Sequence, residues 1–315
     1  MPHETRISKG FLSVRSLWYF WRYVRGAEAI VITMPNAEAL PLAIMGRILK
    51  KRIIALYLCD VDLGPRLTSQ IVNAVLNRSI DMQLMLSDKI VAIADYIEHR
   101  LAYQKFGDKI VPLLPPIDTP LADQAFVKKL AAGKDRKIWI GFAGRLAREK
   151  GIEHLIHALK IIGDNRYELV IAGPQMTVGE HAYSDAIMEL LERSRIRYHR
   201  FVSLTDSQLA SVYEMLDILV LPSINTTEAF GMVQAEAMLH GTPVIATNLP
   251  GVRMPVQLTG CGTIVPPANP KAIAGAIKSI INAQFNRSEV IKKARKKFNP
   301  DPVYESIESL LLSNK

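Results

Sequence analysis

Short apolar runs rich in Ile, Val and Ala recur along the chain, and most are followed by a stretch whose apolar residues fall at helical spacing. Runs at 28–33 (EAIVIT), 52–58 (RIIALYL), 89–94 (KIVAIA) and 109–114 (KIVPLL) predict strands. A run of this length bounded by polar or turn residues is the pattern of a strand buried on both faces. Helices are predicted between them at 37–49, roughly 66–87 and 96–104, and ahead of the first strand at 11–25. Pro115, Pro116 and Pro120 interrupt the pattern, and the alternation then resumes. Six more strands are predicted at 138–143 (IWIGFA), 168–173 (ELVIAG), inside the basic segment 193–203, and at 217–222 (DILVLP), 244–247 (VIAT) and 262–266 (GTIVP), with helices separating most of them. Strands alternating with helices build parallel βαβ units, so the predicted class is α/β, doubly wound. In such sheets ligands sit at the carboxyl ends of the strands.

One stretch, 218–251, concentrates candidate chemistry. Ile218 to Leu221 end at Pro222, and a polar loop from Ser223 to Thr227 follows. Met232, Val233, Ala235, Met238 and Leu239 then fall at helical spacing until Gly241-Thr242-Pro243 stops the helix. Glu228 precedes that helix and Glu236 lies past its first turn. Between them the free backbone N–H groups around Phe230 to Val233 form a ready anion site. A nucleotide-sugar suits it: the diphosphate on the helix start, one Glu on sugar hydroxyls and the other on ribose hydroxyls. A solvated Glu236 and a Glu228 that merely answers the helix dipole fit the same spacing, and spacing alone does not separate the two readings.

These residues carry a family resemblance. TEAFGMVQAEAMLHGTPVIATNLPG, ending at Gly251, resembles the signature of the retaining glycosyltransferases of family 4, which have the GT-B fold. FAGRLAREKGIEHLIHAL, from Phe142 to Leu159, resembles that family's phosphate-binding segment, and the order and separation of the two blocks agree. The similarity runs from about Ala27 to the C-terminus and is weaker before Lys134. It implies two Rossmann-type domains facing a cleft: an acceptor-side domain over 1–133 and a nucleotide-sugar-binding domain over 134–300, with the last segment, 301–315, returning to the first domain. It implies a hexosyltransferase that moves a hexose from a UDP- or GDP-linked sugar to a glycan or lipid-linked acceptor with retention. Residue by residue, Arg145 and Lys150 match the cations that meet the phosphates, Glu228 the carboxylate that holds the donor sugar, and Glu236 the one that binds ribose. Phe230, Gly231, Met232 and Val233 match backbone contacts to phosphate and sugar. Gly144 matches a glycine that permits close approach, and Leu204 a position near the base. The donor is a substrate, and no cofactor or metal is expected. Asp60-Val61-Asp62 has the form of a metal-binding pair, but the motif is short and common, and the seven histidines show no zinc spacing.

Composition adds a charge argument. The formal net charge is +9 with a sequence pI of about 9.5, which favours acidic partners. Residues 1–52 hold nine Lys and Arg against three acids. Within 11–25, Trp18, Tyr19, Phe20, Trp21 and Tyr23 interleave with Arg15, Arg22 and Arg25, a mixture suited either to an anionic membrane surface or to packing against the sheet. No nucleic-acid-binding signature accompanies the charge, so nucleic acid is not an expected partner. The run KKARKK at 292–297 reads as a solvated helix face. No apolar stretch is long enough to span a bilayer, and no signal-peptide pattern opens the chain. Two cysteines, Cys59 and Cys261, are too few for a disulfide framework, and a cytoplasmic location, peripheral to the inner membrane face, is expected.

Two departures from the family stand out. Leu58 occupies the place of a usual His beside the donor sugar, and Leu can neither donate nor accept a hydrogen bond. Asp60 nearby matches and would serve in part. Family members also open with a strand, a glycine-rich loop and further βα units before the equivalent of Ala27. The expectation is therefore a shortened first domain, completed by a second polypeptide or left incomplete. A non-catalytic nucleotide-sugar-binding subunit is the alternative function.

Overall fold

The structure, a computed structural model, describes residues 5–7, 10–12, 14–36, 39–59, 61, 67–99, 105–174 and 180–312. Two compact units emerge, Met1–Pro115 with Asp301–Lys315 and Pro116–Pro300.

In the N-terminal unit a two-stranded antiparallel pair, β1 (Thr5–Ile7) and β2 (Gly10–Leu12), precedes helix α1 (Val14–Gly26). Then come β3 (Ala29–Met34), α2 (Ala39–Ile48), β4 (Arg52–Tyr57), α3 (Leu67–Leu86), β5 (Lys89–Ala92), α4 (Ala94–Glu98) and β6 (Ile110–Pro112). The four strands form a parallel sheet in chain order, β3-β4-β5-β6. β5 stops two residues short of the predicted run because Ala94 already opens α4. The predicted helix at 96–104 is represented by α4, which ends at Glu98; residues 100–104 lie outside the described residues. α2 lies close on the sheet because Gly46 has no side chain: a Cβ there would come within 2.5 Å of Ile30 Cδ1 and 3.1 Å of Ile53 Cδ1. Asp88 ties helix to strand, accepting from Arg47 Nη1 and from the Ile53 amide, both at 2.8 Å.

The C-terminal unit opens with α5 (Gln124–Lys134), followed by β7 (Ile138–Ala143), α6 (Ile152–Ile162), β8 (Tyr167–Ala172), α7 (His181–Ser194), β9 (Tyr198–Phe201) and α8 (Asp206–Met215). β10 (Ile218–Leu221), α9 (Met232–Leu239), β11 (Val244–Thr247), α10 (Met254–Thr259), β12 (Gly262–Val265), α11 (Pro270–Ala283) and α12 (Arg287–Lys297) complete it. The last helix, α13 (Asp301–Leu312), groups with the N-terminal unit. The six predicted strands are all present, in the parallel order β12-β11-β10-β7-β8-β9.

The boundary between units falls after Pro115 rather than at 133/134, and α5 explains why. Asp123 caps α5 by accepting from the amides of Ala125 and Phe126, and the helix packs on α8. At its far end Lys134 reaches Asp217 at 2.7 Å, whose carboxylate also accepts from the Trp139 amide at the start of β7. Helix propensity says nothing about which unit such a helix joins; these contacts do.

The core of the C-terminal unit follows from helical spacing. α6 buries Ile152, Leu155, Ile156 and Leu159, and α11 buries Ile273, Ile277 and Ile280. The two helices pack together over Ile140, Phe142, Leu169, Ile171, Val220 and Ile245 on one face of the sheet. Each such side chain contributes about 1.5–3 kcal/mol on burial. Strand alternation sends Leu219, Leu221, Val244 and Ala246 to the opposite face, where α9 and α10 lie.

Candidate functional site

The order of the six-stranded sheet determines where a ligand fits. From β7 the chain moves outward through β8 and β9, returns to the other side of β7 at β10, and continues through β11 to β12. The direction reverses between β7 and β10, and loops leaving neighbouring strands on opposite sides open a crevice at their carboxyl ends. The loop 144–151 leaves β7 and the loop 222–231 leaves β10. These loops contain the two sequence blocks singled out above.

Three contacts stitch the loops together. The Ile224 amide donates to the Glu149 carbonyl at 3.0 Å. Gly151, at φ +61°, lies so close to the second loop that a Cβ would approach the Pro222 carbonyl oxygen to 2.5 Å and Ile224 Cγ2 to 2.7 Å. Lys150 Nζ is ion-paired with Glu228 Oε2, the two side chains retaining only 16% and 15% exposure. Such an ion pair, removed from most of its water, is held by mutual compensation: taking away one partner leaves a desolvated charge, at a cost of about 3–5 kcal/mol when burial is complete.

Gly144 stands at the tip of β7 with φ +136°, and its amide donates to the Ala172 carbonyl at 2.8 Å. A Cβ at Gly144 would meet only Lys150 Cε, at 4.0 Å, so the backbone angle rather than crowding calls for glycine there. The neighbouring Gly173 is the crowded one: its Cβ would sit 2.0 Å from the Gly144 carbonyl oxygen. Arg145 is half exposed and turned to Glu149, Nη2 to Oε1 3.1 Å.

α9 begins at the end of the second loop. Its N-cap, Gly231, has φ +72°, and a Cβ there would strike Leu221 Cδ2 at 2.3 Å. Among the described residues no side chain caps this helix, and no acid stands in its first turn. The amides of Met232 and Val233 therefore keep the positive end of the dipole uncompensated. Phe230 is buried against Phe298, edge to face at 6.2 Å, so only its backbone can face a ligand. Met232 is exposed and Val233 half-buried. Gln234 fixes the helix entrance, donating from Nε2 to the carbonyls of Phe230 and Val252, both at 2.9 Å.

Glu236 lies farther along α9 and accepts from the Tyr213 hydroxyl at 2.8 Å. Burial raises its carboxyl above the ordinary value, the Tyr213 hydrogen bond pulls it back down, and Asp206 adds a smaller upward push. Tyr213 is itself raised well above its ordinary value, first by burial and then by the Glu236 charge.

Gly144, Arg145, Lys150 and Glu228 thus share one pair of joined loops, and Gly231, Met232 and Val233 start the helix that leaves them. The expectation that both cations stand open toward a phosphate is modified: Lys150 faces Glu228 and Arg145 faces Glu149. Leu204 follows β9, two strands away from β7, half-buried just ahead of the Thr205 cap of α8. Asp60 lies outside the described residues. Leu58, just past β4, is exposed, its amide donating to the Met34 carbonyl at 3.1 Å. Sequence reasoning missed Tyr213, whose hydroxyl meets Glu236 from α8. It also missed Ser223 and Gln234, which bury a hydroxyl and a carbonyl oxygen without a hydrogen-bond partner among the described residues. A serine two residues past a strand at the reversal point was the available signal for Ser223.

Comparison with known proteins bears on the family and the fold. Residues 123–297, more than half of the chain, match the model of the family "Glycosyl transferases group 1". An uncharacterized glycosyltransferase of Methanocaldococcus jannaschii is 32% identical over 54% of this chain and 42% of its own length. The capsular polysaccharide biosynthesis glycosyltransferase CapM of Staphylococcus aureus is 32% identical over 54% of this chain and 45% of its own. The chain therefore spans about half the length of the curated relatives it matches. Among solved structures, Anabaena HepE in complex with UDP and glucose superposes with a TM-score of 0.77 at 20% identity, covering 95% of this chain and 81% of that one. Sucrose-phosphate synthase from Thermosynechococcus elongatus gives 0.75 at 20% identity, covering 94% and 76%. These likenesses establish an α/β fold of GT-B type with parallel sheets. By the family match over its C-terminal unit, the chain belongs to the group 1 glycosyl transferases.

Proposed function

We propose that the protein transfers a hexose, with retention, from a nucleoside diphosphate sugar to a glycan or lipid-linked acceptor. The observation that carries this reading is the Lys150–Glu228 pair set between two joined loops at the reversal point of the sheet, beside the uncapped start of α9. The amides of Met232 and Val233 take the diphosphate, with Lys150 and Arg145 as its cations. Glu228 holds hydroxyls of the donor sugar, and Glu236 those of the ribose. As the bond between the anomeric carbon and the diphosphate oxygen breaks, negative charge grows on the departing group, and donors fixed in advance at that place supply the largest catalytic contribution. The acceptor hydroxyl forms the new bond to carbon, and attack on the same face lets its proton pass to the departing oxygen. Cations and a helix end do here what a bound metal does in other transferases, which makes the reaction metal-independent.

The relatives support the donor class: HepE is described with UDP and with UDP-glucose, and CapM belongs to capsular polysaccharide biosynthesis. Leu58 motivates the second reading, a subunit that binds the nucleotide-sugar without turning it over.

The test is the purified chain with UDP-, GDP- and ADP-linked hexoses, followed for transfer or slow donor hydrolysis and for binding of the nucleotide diphosphate by calorimetry. Turnover that falls about 10²–10³-fold in Glu228→Gln is expected. Binding without turnover selects the second reading, and full activity in Glu228→Gln removes Glu228 from its role.

A further inference from the structure

The N-terminal unit carries a feature the transfer reaction does not use. Helices α1, α2 and α3 pack side by side, α1 on α2 and α2 on α3. Lys51 holds the first pair together, donating from Nζ to the Arg25 carbonyl at 3.0 Å. α2 turns Ala39, Ala43 and Gly46 toward the sheet, which sends Ile44 and Ile48 outward, the latter 64% exposed. α3 buries Ile80, Gln83 and Leu84. On its far side Ile71, Val75, Met82 and Met85 form an apolar stripe broken only by Arg78, all of them exposed. α1 buries Val24 and presents Trp18, Tyr19 and Arg22 on the other side, with Arg22 stacked 5.7 Å over the Trp18 ring.

An outward face with this much apolar and aromatic surface is unusual for a helix layer in water. Its charge identifies the occupant. The three helices carry Arg15, Arg22, Arg25 and Arg78, besides Arg47, which is paired with Asp88, against a single acid of their own, Asp81. A second copy related by a two-fold axis would oppose the same patch to itself and set arginine against arginine. Tryptophan, tyrosine and arginine around Ile and Met is instead the chemistry of a surface lying in a lipid headgroup layer, where apolar tips enter the acyl boundary and cations meet anionic headgroups. Among the described residues no helix is long and apolar enough to cross a membrane, so the contact would be a resting one. We propose that the outward face of α1, α2 and α3 docks on an anionic lipid surface. This does not depend on the transfer reaction.

The experiment uses the full chain with phosphatidylcholine vesicles, with and without phosphatidylglycerol, read by co-sedimentation and by tryptophan emission. Trp18 and Trp21 are exposed on α1, whereas Trp139 is buried in the C-terminal unit and serves as a constant background. Binding to the anionic vesicles, weakening with salt, and a blue shift that disappears in Trp18→Phe/Trp21→Phe are expected. Arg22→Ala and Arg25→Ala should each weaken partitioning by about fivefold. Met82→Glu/Met85→Glu should weaken it by roughly tenfold or more while leaving circular dichroism and nucleotide binding unchanged. Equal binding to neutral and anionic vesicles, or partitioning indifferent to these variants, overturns the proposal. So does a lipid-free dimer that Val75→Glu dissociates, because the stripe then belongs to a second copy.

Discussion

The chain contains two parallel sheets that differ in one topological respect. Among the described residues the N-terminal sheet runs in chain order, β3-β4-β5-β6, whereas the C-terminal sheet reverses between β7 and β10. Right-handed crossovers that keep moving in one direction place their helices on one face. The first sheet therefore gives a helix layer with a broad outer side. The second sends helices to both faces and brings the loops after β7 and β10 together where the direction changes, and the Lys150–Glu228 and Arg145–Glu149 pairs gather there. The same βαβ unit makes a broad surface in one case and a meeting point of two loops in the other.

Substitutions can break this contrast. The largest effect is expected at Gly173, where a Cβ meets the Gly144 backbone at 2.0 Å and neither strand end can yield without moving the loop after β7. Gly173→Ala should cost about 3 kcal/mol and abolish nucleotide binding, measured by denaturant unfolding and calorimetry. Next comes the ion pair. Lys150→Ala should lose stability by up to about 3 kcal/mol because Glu228 is left desolvated and unpaired, and Lys150→Ala/Glu228→Gln should regain much of that stability without regaining turnover. Equal stability of the single and double variants would show that the pair is not coupled. In the N-terminal unit Gly46→Ala meets side-chain atoms of Ile30 and Ile53 rather than backbone, so a loss of about 1 kcal/mol is expected.

The pH dependence sharpens the picture of α9. Because burial raises Glu236, folding favours its protonated form; that contribution is present below the ordinary value of 4.5 and is lost as pH rises through the raised one. On the proposed reading Glu236 accepts from ribose hydroxyls best when ionised, so nucleotide affinity should increase with pH across the same raised value. Tyr213→Phe removes the hydrogen bond that lowers the Glu236 carboxyl, and calorimetric titration should find the rise displaced to higher pH with affinity reduced about fivefold. A midpoint that does not move would remove Tyr213 from control of Glu236. The smallest effect belongs to Ile48→Glu on the helix layer, within about 0.5 kcal/mol in stability.

Much of this was legible from residue order. Runs such as IWIGFA and DILVLP announced β7 and β10, because a strand buried on both faces needs continuous apolar residues. The fold rule for strand ends then pointed to Gly144 and Glu228. The pairing of Lys150 with Glu228 was not legible: 78 positions separate them, and the Ile224–Glu149 hydrogen bond and the packing of Gly151 on Pro222 bring them together. Tyr213 escaped for the same reason, since its helical position looks like an ordinary core aromatic. The prolines at 115 and 116 marked the boundary between units, but the apolar pattern of α5 could not say that its partners would be α8 and Asp217.

The Lys150–Glu228 pair also bears on selectivity. A cation already neutralised by its neighbour offers little to a bare phosphate, which must separate the two side chains and strand the carboxylate. A donor that brings sugar hydroxyls along with its diphosphate supplies replacement partners to both at once. On the proposed reading, the abundant small anions of a cell are therefore turned away by the same contact that a sugar-bearing nucleotide can exchange.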